Sequence, residues 1–459
     1  MNKPLRVAVV GAGPAGIYAC NILQTRADEQ GFAPRIDLFE SLPAPYGLIR
    51  YGVAPDHPRI KGIVNSLHEM LSHETIRLIG NTHVGRDVSV AELQSLYDAV
   101  ILATGAQKDA PLSLQGDHLA GNYGAADFVS WYDGHPDVAR DWPLDATDVA
   151  VLGNGNVALD VARVLAKQSD DMLTTDIPDN VYAGLRGSAV RTVHLFGRRG
   201  PAQIKFTPIE LRELGEVAGV DIVLDDRDFA HPDAIGEPAV PNNQAKVMAR
   251  VLDSWKSRRE TGAPRRLYLH FWHRPLAILG TDHVNGIRFA RTRLSADGSL
   301  EDTVDEIEYP IQAVYRAVGY FGSPLTGVPF DTDTGVIPNA GGRVLHEGRT
   351  IPRLYVTGWI KRGPVGLIGH TKSDASETVE NVLSDHESGV SSVLADDDTI
   401  VGLLSERGVR FTTWAGWLGL DAYERSRGDQ FEGDVVRERI KVVDREEQVQ
   451  VSEDAQVRA

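Results

Sequence analysis

The strongest constraint on the fold is a turn that the chain uses twice. Residues 5–10, LRVAVV, form a short apolar run of strand type. It enters Gly11-Ala12-Gly13-Pro14-Ala15-Gly16, and an apolar-periodic segment, 17–23, follows as a helix. A strand–GxGxxG–helix unit lays a pyrophosphate on a helix N-terminus. The first glycine makes the tight turn, the second lets the backbone approach the phosphates, and the third lets the helix pack on the strand. Residues 35–39, RIDLF, supply the expected second strand. Glu40 ends it, 24 positions after Gly16, where a carboxylate accepts hydrogen bonds from a ribose.

Residues 148–160, DVAVLGNGNVALD, repeat the arrangement with Gly153-Asn154-Gly155-Asn156-Val157-Ala158. Alanine in the third glycine position is within the pattern. The matching second strand, 192–196, ends in Gly197-Arg198-Arg199-Gly200 where the first unit has an acid. A carboxylate there favours the free 2′-hydroxyl of NAD, whereas guanidinium groups favour the 2′-phosphate of NADP.

The segments between these units set the organisation. Residues 43–61 are dense in proline and glycine and read as a loop, of a length that is usually functional or mobile. A helix is expected over 63–71, and a small sheet piece from 76–79 and Val84. Two apolar strands end in Thr-Gly, at 97–106 (YDAVILATGA) and 353–359 (RLYVTGW), as crossover strands do in flavoproteins with two dinucleotide folds. Thr207, Pro208 and Glu210 fit a helix start as N-cap, N1 and capping-box residue, with Glu213 one turn further on the same face. Residues 265–272 and 284–294 read as strands of a β meander, 313–320 as a strand returning toward the first domain, and 371–383 as a helix. The charged last thirty residues are expected to be partly mobile. The fold class is α/β: two Rossmann-like dinucleotide-binding domains, one inserted into the other. The first spans 1–107 and resumes over 326–459 with a C-terminal extension, and the inserted domain spans 108–325.

The 459 residues leave room for about three domains. No apolar run approaches the ~18 residues of a membrane span, and Lys3 and Arg6 lead directly into a strand rather than a signal peptide. The single cysteine, Cys20, lies within the first helix as a small core residue. It allows no internal disulfide and no CxxC pair, which suits a reducing cytoplasm and excludes thiol–disulfide reduction. A net charge of −17 argues against nucleic-acid binding. Against that background, residues 246–274 carry eight basic side chains (Lys246, Arg250, Lys256, Arg258, Arg259, Arg265, Arg266, Arg274) opposed by Asp253 and Glu260 alone. Such a stretch reads as a solvated face or as a docking patch for an acidic partner.

Four long segments carry a resemblance: GLIRYGVAPDHPRIK (47–61), GNGNVALDVAR (153–163), FGRRGPAQIKFTPIELREL (196–214) and TGWIKRGPVGLIGHTKSDA (357–375). With them the chain resembles, over nearly its whole length, the adrenodoxin reductase-like ferredoxin–NADP⁺ reductases, including their actinobacterial members. The resemblance implies FAD in the outer domain and NADPH in the inserted one. It places FAD on Gly11, Gly13, Ala15, Gly16 and Glu40, lined by Leu48 and Val84, with Trp359, Gly366, Leu367 and Ile368 at the flavin end. It places NADP on Asn154, Gly155, Asn156, Val157, Arg198, Arg199, Glu210 and Gly366. His57 is implied near the flavin, close to a carboxylate of the inserted domain, Glu213 or Asp160, as tuning groups. The activity implied is hydride transfer from NADPH to FAD, then single electrons to a ferredoxin that supplies oxidases such as cytochromes P450. No metal site is needed. The ferredoxin is a separate acidic protein, steered by the basic stretch around Lys246, Arg250, Arg258 and Arg259. A quinone-type NADPH diaphorase and a non-catalytic nucleotide-binding redox sensor are the competing classes.

Overall fold

The computed structural model describes residues 5–204, 206–230, 243–365, 368–387 and 398–458. The chain divides into two compact units. The outer one comprises 1–108, 133–137 and 320–459, and the inner one 109–132 and 138–319.

The outer unit is built on a parallel sheet. Arg6–Val10 pairs with Arg35–Phe39 on one side and Ala99–Leu102 on the other; Ile76–Ile79 extends the first side and Arg349–Val356 the second. Two antiparallel strands, Arg343–His346 and Asn339–Ala340, finish that edge. The pleat sends alternate residues to opposite faces, and both faces are buried. Val7, Val9, Ile36, Leu38 and Ile101 enter one apolar cluster, and Ala8, Val10, Phe39, Val100 and Leu102 the other. The helices Pro14–Gln30 and Ile368–Glu387 pack together on the first face, where Cys20 is fully buried. Residues 76–79 are thus the edge strand of this sheet, while Val84 only bridges to Val88.

Residues 43–61 are more structured than their proline and glycine content suggests. They contain the single-turn helices Leu48–Tyr51 and Pro58–Lys61, and Tyr46, Ile49, Tyr51 and Ala54 are buried. The charged C-terminal residues also differ from expectation. Arg445–Arg458 is a helix packed against Trp414–Asp429. Its buried side chains include Gln448 and Ser452, so the apolar repeat that announces a helix is weak. This extension grips the 43–61 segment through a buried ion pair, Arg50 Nη1 to Glu424 Oε2 at 3.0 Å. Lys441 Nζ donates to the Arg50 carbonyl at 2.9 Å and lies 3.4 Å from Asp133 Oδ1, which also pairs with Lys61 at 3.1 Å. The excursion 133–137 is stitched into the outer unit by these bonds and by Arg445 on Asp137 at 2.7 Å.

The inner unit has a six-stranded parallel sheet in the order Asn122–Gly124, Ala313–Arg316, Asp148–Leu152, Thr192–Phe196, Arg265–His270, Val220–Leu224. Two strand expectations are corrected here. Arg265–His270 is a parallel strand of this sheet, not part of a meander. Trp272 takes a positive φ of 62° and turns the chain, so the antiparallel meander begins at His273 and runs as His273–Gly280, Val284–Leu294 and Leu300–Tyr309. The returning strand stops at Arg316, inside the inner sheet between Asn122–Gly124 and Asp148–Leu152. One face of the sheet packs on the meander through Ala150, Leu152, Phe196, Ile287 and Phe289, and helix Asn156–Ala166 lies against the sheet.

Candidate functional site

In each parallel sheet the strand order reverses beside the strand that feeds a glycine turn. The reversal lies between Arg6–Val10 and Ala99–Leu102 in the outer unit and between Asp148–Leu152 and Ala313–Arg316 in the inner one. Ligands of open parallel sheets bind at the carboxyl ends of strands flanking such a point.

The outer turn separates what the protein needs from what a ligand needs. A Cβ on Gly11, which has φ +109°, would come 2.5 Å from the Ala103 carbonyl oxygen, and one on Gly16 would come 1.9 Å from the Gly11 oxygen. Those glycines are required by the chain's own packing. Gly13 is not: its Cβ would meet only Gly47 Cα, at 4.0 Å. Gly13 caps helix Pro14–Gln30, whose first turn has no acidic side chain to offset the positive end of the helix. Beside it the Tyr46 N–H donates to the Ala12 oxygen at 2.8 Å, bringing Gly47 and half-buried Leu48 against the turn. Glu40 Oε2 accepts the Ala12 N–H at 2.8 Å, and Oε1 accepts from the Leu42 N–H and the Ser41 hydroxyl, each at 3.0 Å. Burial pushes the Glu40 carboxyl upward against these bonds. Buried Val84 follows the next strand.

Gly358 closes the far side, its added Cβ only 2.6 Å from Ala15 Cβ, and half-buried Trp359 follows, its ring 5.9 Å from that of Tyr320. Gly11, Gly13, Ala15, Gly16, Glu40, Leu48 and Trp359 therefore gather around one sheet end. Gly366 and Leu367 lie outside the described residues; Ile368 opens helix Ile368–Glu387. Two groups here were not singled out as side chains, although Thr104 stands in the Thr-Gly strand end at 97–106 and Asp374 in the 357–375 segment. Asp374 accepts the Gly358 N–H and pairs with buried Lys361 at 2.7 Å. Thr104 Oγ1 is buried without a hydrogen-bond partner among the described residues.

The inner turn follows the same rule. A Cβ on Gly153 would come 2.2 Å from the Ala317 oxygen, whereas one on Gly155 meets nothing within 4 Å. Gly155 caps helix Asn156–Ala166, again with no acid in the first turn. Asn156 Oδ1 is buried without a partner among the described residues, as is Arg316 Nε on the neighbouring strand. Asn154 abuts Gly197, so the glycine turn and the arginine turn meet. Arg198 is exposed and Arg199 half-buried, and neither guanidinium has a carboxylate partner among the described residues. Glu210 is buried in the expected capping box: Oε2 accepts the Thr207 N–H at 2.9 Å, and the Thr207 hydroxyl accepts the Glu210 N–H at 3.4 Å. Asp109, which sequence reasoning did not single out, accepts the Ala126 N–H at 3.0 Å and caps the helix Ala125–Tyr132. Burial pushes its carboxyl up to about 6.

The three remaining candidates are divided between the units. His57 is buried in the outer unit and caps Pro58–Lys61 through its backbone. Asp160 and Glu213 sit on two inner-unit helices that pack together; Asp160 is buried and pairs with Arg163 at 2.9 Å, and Glu213 is half-buried. Of the basic stretch, three members are committed internally. Arg265 is buried, donating to the Leu165 carbonyl at 3.2 Å, Arg266 faces Glu260 at 3.4 Å, and Arg274 pairs with Asp302. Lys246, Arg250, Lys256, Arg258 and Arg259 are exposed without carboxylate partners among the described residues.

Residues 5–185 match the family model described as pyridine nucleotide-disulphide oxidoreductase. Over 441 residues the chain is 39% identical to the NADPH-ferredoxin reductase FprA of Mycobacterium tuberculosis, spanning 93% of this chain and 95% of that protein. It is 39% identical over 465 residues to the mitochondrial NADPH:adrenodoxin oxidoreductase of Rattus norvegicus, spanning 97% and 91%. The solved structure of Mycobacterium tuberculosis FprA in complex with NADPH aligns with a TM-score of 0.89 at 38% identity, over 98% of this chain and all of the other.

Proposed function

The chain belongs to the family of NADPH–ferredoxin and adrenodoxin reductases, and from that membership we propose that it carries electrons from NADPH through FAD to a ferredoxin. The observation that carries the reading is the pair of middle glycines, Gly13 and Gly155. Each leaves room that no atom of the described residues fills, at the positive end of a helix.

FAD, when bound, supplies the chemistry, because it accepts a hydride with two electrons and returns them one at a time. The protein supplies binding and alignment. In the outer unit the backbone around Gly11, Gly13, Ala15 and Gly16 receives the pyrophosphate. Glu40 would offer its remaining lone pairs to a ribose while its other bonds hold the turn, and Leu48, Val84 and Trp359 would line the cofactor. In the inner unit Asn154, Gly155, Asn156 and Val157 receive the NADPH pyrophosphate. Arg198 and Arg199, without carboxylate partners among the described residues, would take the 2′-phosphate by charge-assisted hydrogen bonds, and Glu210, held in the capping box of helix Pro208–Gly215, would be a further contact to NADP. His57 in the outer unit, and Asp160 and Glu213 in the inner one, are the candidate tuning groups; hydride transfer itself requires no acid–base pair. Lys246, Arg250, Arg258 and Arg259 steer the acidic ferredoxin by complementary charge.

Anaerobic mixing of the purified yellow protein with NADPH or NADH tests the core of this. NADPH should bleach the flavin rapidly and NADH slowly. Absence of flavin, or no bleaching by either nucleotide, would leave only a nucleotide-binding protein.

A further inference from the structure

The backbone beneath Arg198 and Arg199 is held by residues that a dinucleotide turn does not require. Trp272 is fully buried, yet it adopts φ +62°. For a bulky residue this is a strained conformation, which persists only where the surroundings over-determine it and which concentrates at functional sites. Here they do. The Trp272 N–H donates to the Arg199 carbonyl at 3.3 Å, its own carbonyl accepts the Thr292 N–H at 3.0 Å, and its indole N–H donates to the Asp228 carbonyl at 3.1 Å. Its ring fills the space beside Gly200, where an added Cβ would overlap it. The flanking residues join in. The His273 N–H donates to the Gly197 carbonyl at 3.0 Å, and the Thr292 hydroxyl donates to the Arg198 carbonyl at 2.8 Å.

Three successive carbonyls of the turn, Gly197, Arg198 and Arg199, are therefore each tied to the same corner of the inner unit. That corner is itself pinned. Asp228 Oδ2 accepts the Phe271 N–H at 2.7 Å, and Arg291 bridges the Phe271 carbonyl at 3.0 Å and Asp228 Oδ1 at 2.8 Å. The result is a fixed base under two guanidinium groups that have no carboxylate partner among the described residues.

We propose that Trp272 and Thr292 are positioning residues for coenzyme choice. Without touching the nucleotide, they hold the 197–200 backbone so that Arg198 and Arg199 meet the 2′-phosphate, and they thereby set the preference for NADPH over NADH. This rests on the assignment of the arginine pair to that phosphate. Fixing the base in advance spares the ordering cost at the moment of binding, and the benefit is confined to the coenzyme that has the phosphate.

The test uses the FAD-loaded, full-length enzyme with Thr292→Val, which keeps the β-branched shape and removes only the hydroxyl, and Thr292→Ser, which restores it. Dye-reduction kinetics with each coenzyme are read alongside binding of 2′,5′-ADP and 5′-AMP. Loss of one bond to a carbonyl is expected to raise KM for NADPH about five- to tenfold, with KM for NADH and both kcat values within about twofold, and Ser should restore the original KM. 2′,5′-ADP should weaken in parallel and 5′-AMP should not. Should Val fail to fold at this fully buried site, Thr292→Ala reads the same ratio. An unchanged KM for NADPH, or equal rises for both coenzymes, would overturn the proposal. Equal use of NADH and NADPH by the unaltered enzyme would overturn the arginine assignment itself, and the proposal with it.

Discussion

Three single alanine substitutions separate the glycines that the fold needs from those that the cofactors need. In Gly16→Ala the new methyl would lie 1.9 Å from the Gly11 oxygen, backbone against backbone, with no flexible side chain to move aside. Overpacking of that kind costs about 3 kcal/mol or more, whether or not cofactor is present. In Gly13→Ala the nearest atom is 4.0 Å away, and φ −78°, ψ 178° suits any residue. The lost chain entropy of glycine and its better performance as an N-cap oppose each other at about 0.5–1 kcal/mol each, so the apoprotein should be almost unchanged. The methyl does, however, occupy the approach of the pyrophosphate. Losing one charge-assisted backbone bond costs about 1.5–3 kcal/mol, which weakens FAD about tenfold to a hundredfold. Gly155→Ala, with nothing within 4 Å of the added methyl, should leave FAD affinity intact and raise KM for NADPH by a similar factor. Thermal unfolding with and without FAD, fluorescence titration of FAD into apoprotein, and steady-state kinetics read the three effects. Unaltered FAD affinity in Gly13→Ala, or apoprotein as damaged as that of Gly16→Ala, would refute the claim that a ligand, not the chain, requires that glycine.

Other perturbations follow from the buried charges and the surface. Asp109 carries a folded-state pKa of about 6 against 3.8 for the free side chain, so its contribution to stability is present below about pH 4 and lost as pH rises through 6. Asp109→Asn keeps the acceptor for the Ala126 N–H; in urea unfolding it should remove a loss of about 2 kcal/mol over that window, and an unchanged slope would contradict the assignment. Glu424→Gln strands the buried Arg50 guanidinium and should destabilise the outer unit by about 3–5 kcal/mol, read as a lower melting temperature; a change under about 1 kcal/mol would show that the pair is not what anchors residues 48–51. Reversing Lys246 and Arg250 to Glu should slow ferredoxin reduction and flatten its salt dependence while leaving dye reduction intact, because rim charges act on encounter. Equal slowing of both acceptors would point away from docking.

What the sequence announced and what it hid have physical causes. The two glycine turns are legible because apolar strand, turn and periodic helix must follow one another within some twenty residues, and the acid at Glu40 against the Arg198-Arg199 pair is read directly off the two second-strand ends. The capping box at Thr207 and Glu210 is equally local. Features made by distant partners were hidden. Arg265–His270 joins the parallel sheet because Trp272 turns the chain, and nothing in a run of alternating residues reveals a tryptophan at positive φ. The helix Arg445–Arg458 buries Gln448 and Ser452, and its neighbour buries Glu424, so polar residues stand where an apolar stripe would have signalled packing. Residues 133–137 join the outer unit through ion pairs of Asp133 and Asp137 with Lys61, Lys441 and Arg445, which no local pattern encodes.

Single-electron delivery from NADPH to a ferredoxin is the core of the proposed function. Its most direct test is the rate of electron delivery to an iron–sulfur ferredoxin by the purified protein, with NADPH and with NADH, at low and high salt. A rate that requires ferredoxin, prefers NADPH and falls as salt screens the basic side chains at 246–259 is expected. Rapid reduction of dyes or quinones from NADPH, with no transfer to ferredoxin at either salt, would contradict it.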